Sequence, residues 1–181
     1  MKTRFMYADN RREVARQILS RFFEFGFTNA YLDSFTMVYN NEDIWQYNVV
    51  ATITGEEYPD SLYIIGGHYD CINNAGNSFV FAPGANDNAS GVATTLEVAR
   101  IMKEKKLKPR SSIRFIAFAA EEKGFRGSYY YANRARANDE KISVMLNNDM
   151  VAYWPGDEPG VWTLNIIDYK ESLPLRHTAD R

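Results

Sequence analysis

Apolar and polar positions change period several times along the chain, and each change marks an element. Val14, Ile18, Phe22 and Phe25 recur at helical spacing; Asp9 or Asn10 can cap the start of that helix and Gly26 its end. Residues 27–35 read as irregular chain or a short strand, and 40–43 as a turn. Residues 47–53 read as a strand, ended by Gly55 and a polar turn through Pro59 and Asp60. Three further runs, 62–65, 113–119 and 142–146, are too continuously apolar for half-exposed strands, and 161–167 is a fourth candidate. Between the first two runs, Val92, Leu96, Ala99 and Met102 form the stripe of a helix that begins after Gly91. Between the next two, Ser128 is placed to cap another helix.

Strands alternating with helices predict a mainly parallel sheet covered on both faces, an α/β architecture. A chain of 181 residues, 45% of them hydrophobic, suits one domain with its own core, and no repeat or linker divides it.

Charge and cysteine content narrow the chemistry. With 21 basic and 23 acidic residues the formal charge is -2, which argues against nucleic-acid and polybasic membrane surfaces and leaves small molecules or peptides as partners. Cys71 is the single cysteine, so neither a disulfide framework nor a CxxC zinc site is available, and any metal must sit on His, Asp and Glu. No apolar run has transmembrane length and none follows the basic N-terminus as an export signal would. A mature secreted protein would read the same way.

The candidate chemistry lies where the apolar runs end. His68 and Asp70 follow the first, Glu121 and Glu122 the second, and Asp149 the third, while Asp87 sits in the polar loop Ala-Pro-Gly-Ala-Asn-Asp-Asn-Ala-Ser-Gly before the Gly91 helix. Ligands of open α/β sheets bind beyond the carboxyl ends of the strands, so all these side chains are expected at one sheet edge. Imidazole with several carboxylates is a donor set for a divalent metal. Each residue also has a plainer reading: a hydrogen-bonded core histidine, turn aspartates, a solvated glutamate pair. Asp70 is placed to take the second ring proton of a ligating His68. Gly66 and Gly67 permit close backbone approach. Adjacent glutamates in extended chain would point apart, one to a metal and one to a water.

Gly-Gly-His-Tyr-Asp, Ala-Pro-Gly-Ala-Asn-Asp-Asn-Ala-Ser-Gly, Ala-Ala-Glu-Glu-Lys-Gly-Phe-Arg-Gly-Ser and Asn-Asp-Met occur in that order, and between about residues 46 and 169 the chain resembles the co-catalytic di-zinc aminopeptidases of bacteria. That family also includes glutamate carboxypeptidase and glutaminyl cyclase. The resemblance implies a three-layer phosphorylase/hydrolase-like sandwich with a mixed, mostly parallel sheet, and removal of N-terminal residues from peptides. It makes Asp87 the carboxylate bridging two zinc ions, His68 and Asp149 ligands of one ion, Glu122 a ligand of the other, Glu121 the general base and Asp70 the partner that orients His68. It also implies a cis peptide bond between Asp87 and Asn88. Family members are often secreted or periplasmic.

The family uses a second histidine ligand in a Ser-Asp-His setting, whereas this chain has only His68 and His177, the latter in Pro-Leu-Arg-His-Thr-Ala-Asp-Arg. The expectation is therefore a single zinc-peptidase domain over 1–181 lacking its C-terminal third, with one or no tightly bound zinc, weak or no activity, and a tendency to self-associate. A non-catalytic relative and a one-zinc, glutaminyl-cyclase-like acyltransferase are the alternatives. Phe79, Phe81 and Tyr129 are expected in the core or beside the substrate.

Overall fold

The structure is a computed structural model that describes residues 2–153. Helix α1, Arg11–Glu24, buries Val14, Ala15 and Phe22 and stops before Gly26, whose φ of +87° a side chain would strain. Strands β1, Tyr31–Tyr39, and β2, Glu42–Ile53, form an antiparallel hairpin. Its turn is Asn40 and Asn41 alone, at φ +50° and +63°, a conformation asparagine tolerates. Glu42 and Asp43 thus begin a strand instead of finishing a turn. β1 is longer than its pattern suggests because Asp33 occupies an inward position beside Phe35. Its carboxylate is buried against Arg134 and Asn48, and this paired charge hides the alternation of the strand.

Strand β3, Tyr58–His68, pairs in parallel with β4, Ser111–Phe118, on one side and with β5, Lys141–Asn147, on the other. β2 pairs antiparallel with β4, giving the order β1-β2-β4-β3-β5, in which only β2 opposes the rest. Pro59 and Asp60 lie within β3, at a shift in its register with β4, where a turn was expected. The candidate strand at 161–167 lies outside the described residues.

Alternation along the central strands splits the core in two. Val49, Ala51, Phe115 and Ala117 face α1 and α2, Gly91–Glu104; Val50, Ile116 and Phe118 face α3, Arg126–Ala137, where they meet Tyr131 and Ala135. Each large apolar side chain buried in these layers stabilises the fold by roughly 1.5–3 kcal/mol. Helix α3 begins two residues before the predicted cap. Phe125, at φ +56°, turns the chain into it, and the Ser128 hydroxyl donates to the Phe125 carbonyl from inside the first turn. Gly127 is required here, since a Cβ would lie 2.3 Å from the Ala119 oxygen.

β5 is different from the other parallel strands. Among the described residues it is an edge, and Ile142, Met145 and Leu146 are 38%, 40% and 58% exposed despite an apolar sequence written for burial. An exposed apolar edge strand is a template for pairing. The 181-residue chain is therefore expected to self-associate, with apparent mass rising with concentration in sedimentation or light scattering and Leu146→Lys reducing the effect. A sharply monodisperse monomer over the same range would count against it.

Candidate metal centre

The carboxyl ends of β3, β4 and β5 bring the predicted residues together. His68 is the last residue of β3 and its side chain is 3% exposed. Its Nε2 lies 3.1 Å from Asp87 Oδ1, 3.5 Å from Glu121 Oε2 and 3.7 Å from Asp149 Oδ1. Donor atoms of His68, Asp87 and Glu122 all fall within 4.8 Å of one another. One imidazole is thus faced by four carboxylates from two loops and the turn before α2. The glutamates reach the cluster from a tight turn, not from extended chain: Ala120 has φ +54°, and the Gly124 and Phe125 amides donate to the Glu121 carbonyl.

Asp70 does more than face a ring nitrogen. Its carboxylate, 1% exposed, accepts the backbone N–H of Glu121 at 2.9 Å and that of Glu122 at 3.2 Å, so it fastens the end of β3 to the turn after β4. His68 Nδ1 donates to the Asp70 carbonyl oxygen at 3.1 Å, with the carboxylate at 3.5 Å. The contact of His68 with Asp70 therefore has two parts, and the backbone oxygen makes the shorter one.

Asp87 and Asp149 are held by residues that the sequence did not single out. A kinked turn, Ala85–Ser90, leads into α2, with Asp87 and Asn88 outside helical backbone geometry and the peptide bond between them cis, as the resemblance implied. Buried Asn88 donates to the Asn148 carbonyl at 2.9 Å and accepts from the amides of Gly91 at 2.9 Å and Met150 at 3.2 Å. Asn86 accepts from Ala152 and Tyr153, and Ser90 from Val151. Alternate residues of one turn thereby pin the segment carrying Asp149. Gly91 admits this approach, because a Cβ there would sit 2.1 Å from the Asn148 oxygen. Gly67 serves the same packing, since a Cβ there would lie 2.7 Å from that oxygen. The polar loop's own composition was the signal: Asn and Ser at every second position supply side chains that bind backbone.

Two further braces reach the site from a distance. Asn48 in β2 accepts the Ala119 amide and donates to the Gly127 carbonyl, holding both ends of the glutamate turn. Arg4 donates to the carbonyls of Tyr69, Pro83 and Gly84, at 2.7, 2.9 and 2.8 Å, tying the loop after His68 to the loop before Asp87.

Burial opposes a charged His68, but Asp149, Asp70 and the charge on Glu121 outweigh it and push its pKa up to about 11. Burial, then the neighbouring carboxylates, raises Glu121, and the same causes push Glu122 up to about 7, His68 opposing in both cases. Such crowding of negative charge around one nitrogen is what a divalent cation relieves. The mixed nitrogen and oxygen donors, largely open to solvent at Asp87 and Asp149 with side chains 47% and 40% exposed, fit zinc. Phe79, Phe81 and Tyr129 are not core: they are 47%, 54% and 68% exposed.

Two outcomes follow from this arrangement. Asn88→Ala strips the buried Gly91 amide and the part-buried Asn148 carbonyl and Met150 amide of their partner, which should cost about 1–3 kcal/mol of stability in denaturant unfolding. It should also weaken metal affinity by loosening Asp149. Separately, groups whose pKa is raised on folding stabilise the protein below their unfolded values and lose that contribution as pH rises. Glu122 does so between about 4.5 and 7, and His68 between 6.5 and about 11. The Tm of metal-free protein should fall across this span, and Glu122→Gln should flatten the lower part of the fall.

The chain matches Peptidase family M28 over residues 48–162. It is 39% identical over 132 residues to a probable zinc metalloprotease of Pyrenophora tritici-repentis, a match covering 72% of this chain and 30% of that one. Among solved structures, a zinc aminopeptidase from Bacillus subtilis aligns at 34% identity and TM-score 0.50, over 62% of this chain and 26% of its own. LapB from Legionella pneumophila aligns at 25% identity and TM-score 0.67, over 86% and 41%. The chain spans between 20% and 30% of the length of the curated relatives it matches. The family match takes in β3, β4 and β5 with all six predicted site residues, and on that ground the chain belongs to Peptidase family M28.

Proposed function

We propose that this chain carries the metal centre of a zinc-dependent aminopeptidase that hydrolyses N-terminal residues from peptides. The observation that carries the reading is the convergence of Asp87, Glu121 and Asp149 on the Nε2 of one buried histidine, with Glu122 beside them. His68, Asp149 and one oxygen of Asp87 would hold one ion; Glu122 and the other oxygen of Asp87 are the described donors for a second. Bound zinc would supply Lewis acidity toward the scissile carbonyl and an acidified water. Glu121, held by its backbone through Asp70, takes the proton of the attacking water on its carboxylate and passes it to the departing amine. Burial and neighbouring carboxylates raise its pKa, which brings it closer to the pH at which such transfer is efficient. His68 keeps its ring oriented through the Nδ1 contact with Asp70, leaving Nε2 directed at the carboxylates.

The two ion positions are unequal. His68 is the one histidine among the described residues, and His177 lies outside them. The His68 position has an imidazole and two carboxylates, whereas the Glu122 position has carboxylates alone. One tight zinc is expected, with any second bound weakly and turnover correspondingly low. A non-catalytic zinc-binding relative is the competing reading, and its specific support is this shortage of imidazole.

Metal analysis and turnover of an aminoacyl-nitroanilide test the assignments together. After dialysis against trace zinc the chain should retain one equivalent, His68→Gln should abolish it, and Glu121→Gln should keep it while turnover falls by roughly 10²–10⁴. Retention of zinc in Glu122→Gln with its loss in Glu121→Gln would reverse the two roles. Two tight equivalents with full turnover would refute the unequal site.

A further inference from the structure

A cavity of about 560 Å³ lies between β1 and the start of α3, behind the turn that carries Glu121 and Glu122. That is the size of a ligand pocket. Lys123 and Arg126 stand on one side of it, and among the described residues neither forms an ion pair and no acidic side chain lines the cavity. Its other walls mix Thr36, Met37, Val38 and Asn133 with aromatic rings that are held by ring contacts. Phe35 stacks on Tyr130 at 4.9 Å between centroids, and Tyr7 stacks on Tyr39 at 3.9 Å. Tyr129, largely exposed, completes the rim.

The cavity and the metal centre share one turn. Lys123 follows Glu122 directly, and consecutive Cα atoms are about 3.8 Å apart. The Gly124 and Phe125 amides both bond back to Glu121, so Arg126 stays close as well. Tyr7 registers both neighbourhoods. Burial and Tyr39 push its hydroxyl pKa up, Arg126 pulls it down and Asp70 pushes it up. An extended peptide advances about 3.4 Å per residue. A substrate with its N-terminus at the carboxylates would therefore reach the cavity within a few residues.

We propose that this cavity is an exosite for acidic side chains of peptide ligands, positioned to bind residues downstream of the N-terminal one. The identity of the ligand rests on the aminopeptidase reading; the site itself rests on the cavity and its two cations, unpaired among the described residues. Arg126 offers the forked donor geometry that matches a carboxylate, Lys123 adds a compact charge, and the rings accept the apolar stem and neighbouring residues. Two cations in a walled cavity, on a chain of net charge -2, suit a short acidic peptide better than a nucleic-acid backbone, which requires an extended basic face.

The test uses zinc-loaded full chain and an N-acetylated hexapeptide with two central glutamates, compared with the same peptide carrying glutamines. Both lack a free amine, so calorimetric titration reads binding without turnover. The acidic peptide should bind at low salt, the neutral one at least tenfold more weakly, and 0.5 M NaCl should erase the difference. Lys123→Gln with Arg126→Gln, both on the exposed surface, should abolish the preference at unchanged Tm, and His68→Gln should leave it intact. Equal binding of the two peptides, or a preference that survives the double substitution and vanishes with His68→Gln, would overturn the proposal; the latter result would put the carboxylate on the metal centre. Absence of aminopeptidase turnover would sink the proposed activity alone, because the blocked peptides still report on the cavity.

Discussion

Carboxylates that repel one another have to be held close together here, and most of the local structure is a means of doing that. Asp87, Glu121, Glu122 and Asp149 gather about one ring whose own proton is their only described counter-charge. Unrestrained, they would splay into solvent. The restraint comes from backbone hydrogen bonds and not from neighbouring cations. Asp70 spends both its oxygens on the amides of Glu121 and Glu122, and Asn88 satisfies three backbone groups around Asp87 and Asp149. Buried polar groups satisfied in this way fix geometry, and they are costly to disturb because each donor or acceptor left alone is desolvated without return.

The sheet explains why the restraint can be so economical. Parallel β3, β4 and β5 end at one level, so short loops suffice to bring His68, the glutamate pair and Asp149 to one edge. Glycine sets the tolerances. Gly67 and Gly91 together let the Asn148 carbonyl pass between β3 and α2, and a side chain at either would push the Asp149 segment away.

The α/β class, the central strands, the first two helices and the gathering of six polar side chains at one sheet edge were legible in the sequence, since apolar runs ended repeatedly in polar residues. Motif order then suggested the roles proposed for them. What escaped notice was polar structure serving backbone. Asp33 breaks the apolar alternation of β1, and its partners, Asn48 and Arg134, are 15 and 101 residues away, so residues 27–35 read as irregular chain or a short strand. Asn86, Asn88 and Ser90 looked like ordinary loop composition, although their spacing encodes a staple. Phe125 gave no local warning that it would be left-handed and open α3 three positions before Ser128. For Asp33 and the Asn and Ser staple the deciding partners were tertiary, which periodicity cannot see.

The contact made by Arg4 carries a consequence for how the molecule comes together. It joins the chain's start to carbonyls 65 to 80 residues further on, and Asn88 reaches 60 residues ahead to Asn148. No local segment contains even two of these anchors in their final relation. Loop closure over such spans becomes favourable only after the sheet has paired, so the site should be among the last regions to order during folding. A nascent chain would therefore be unable to capture an ion in its native geometry until nearly all the described structure had emerged.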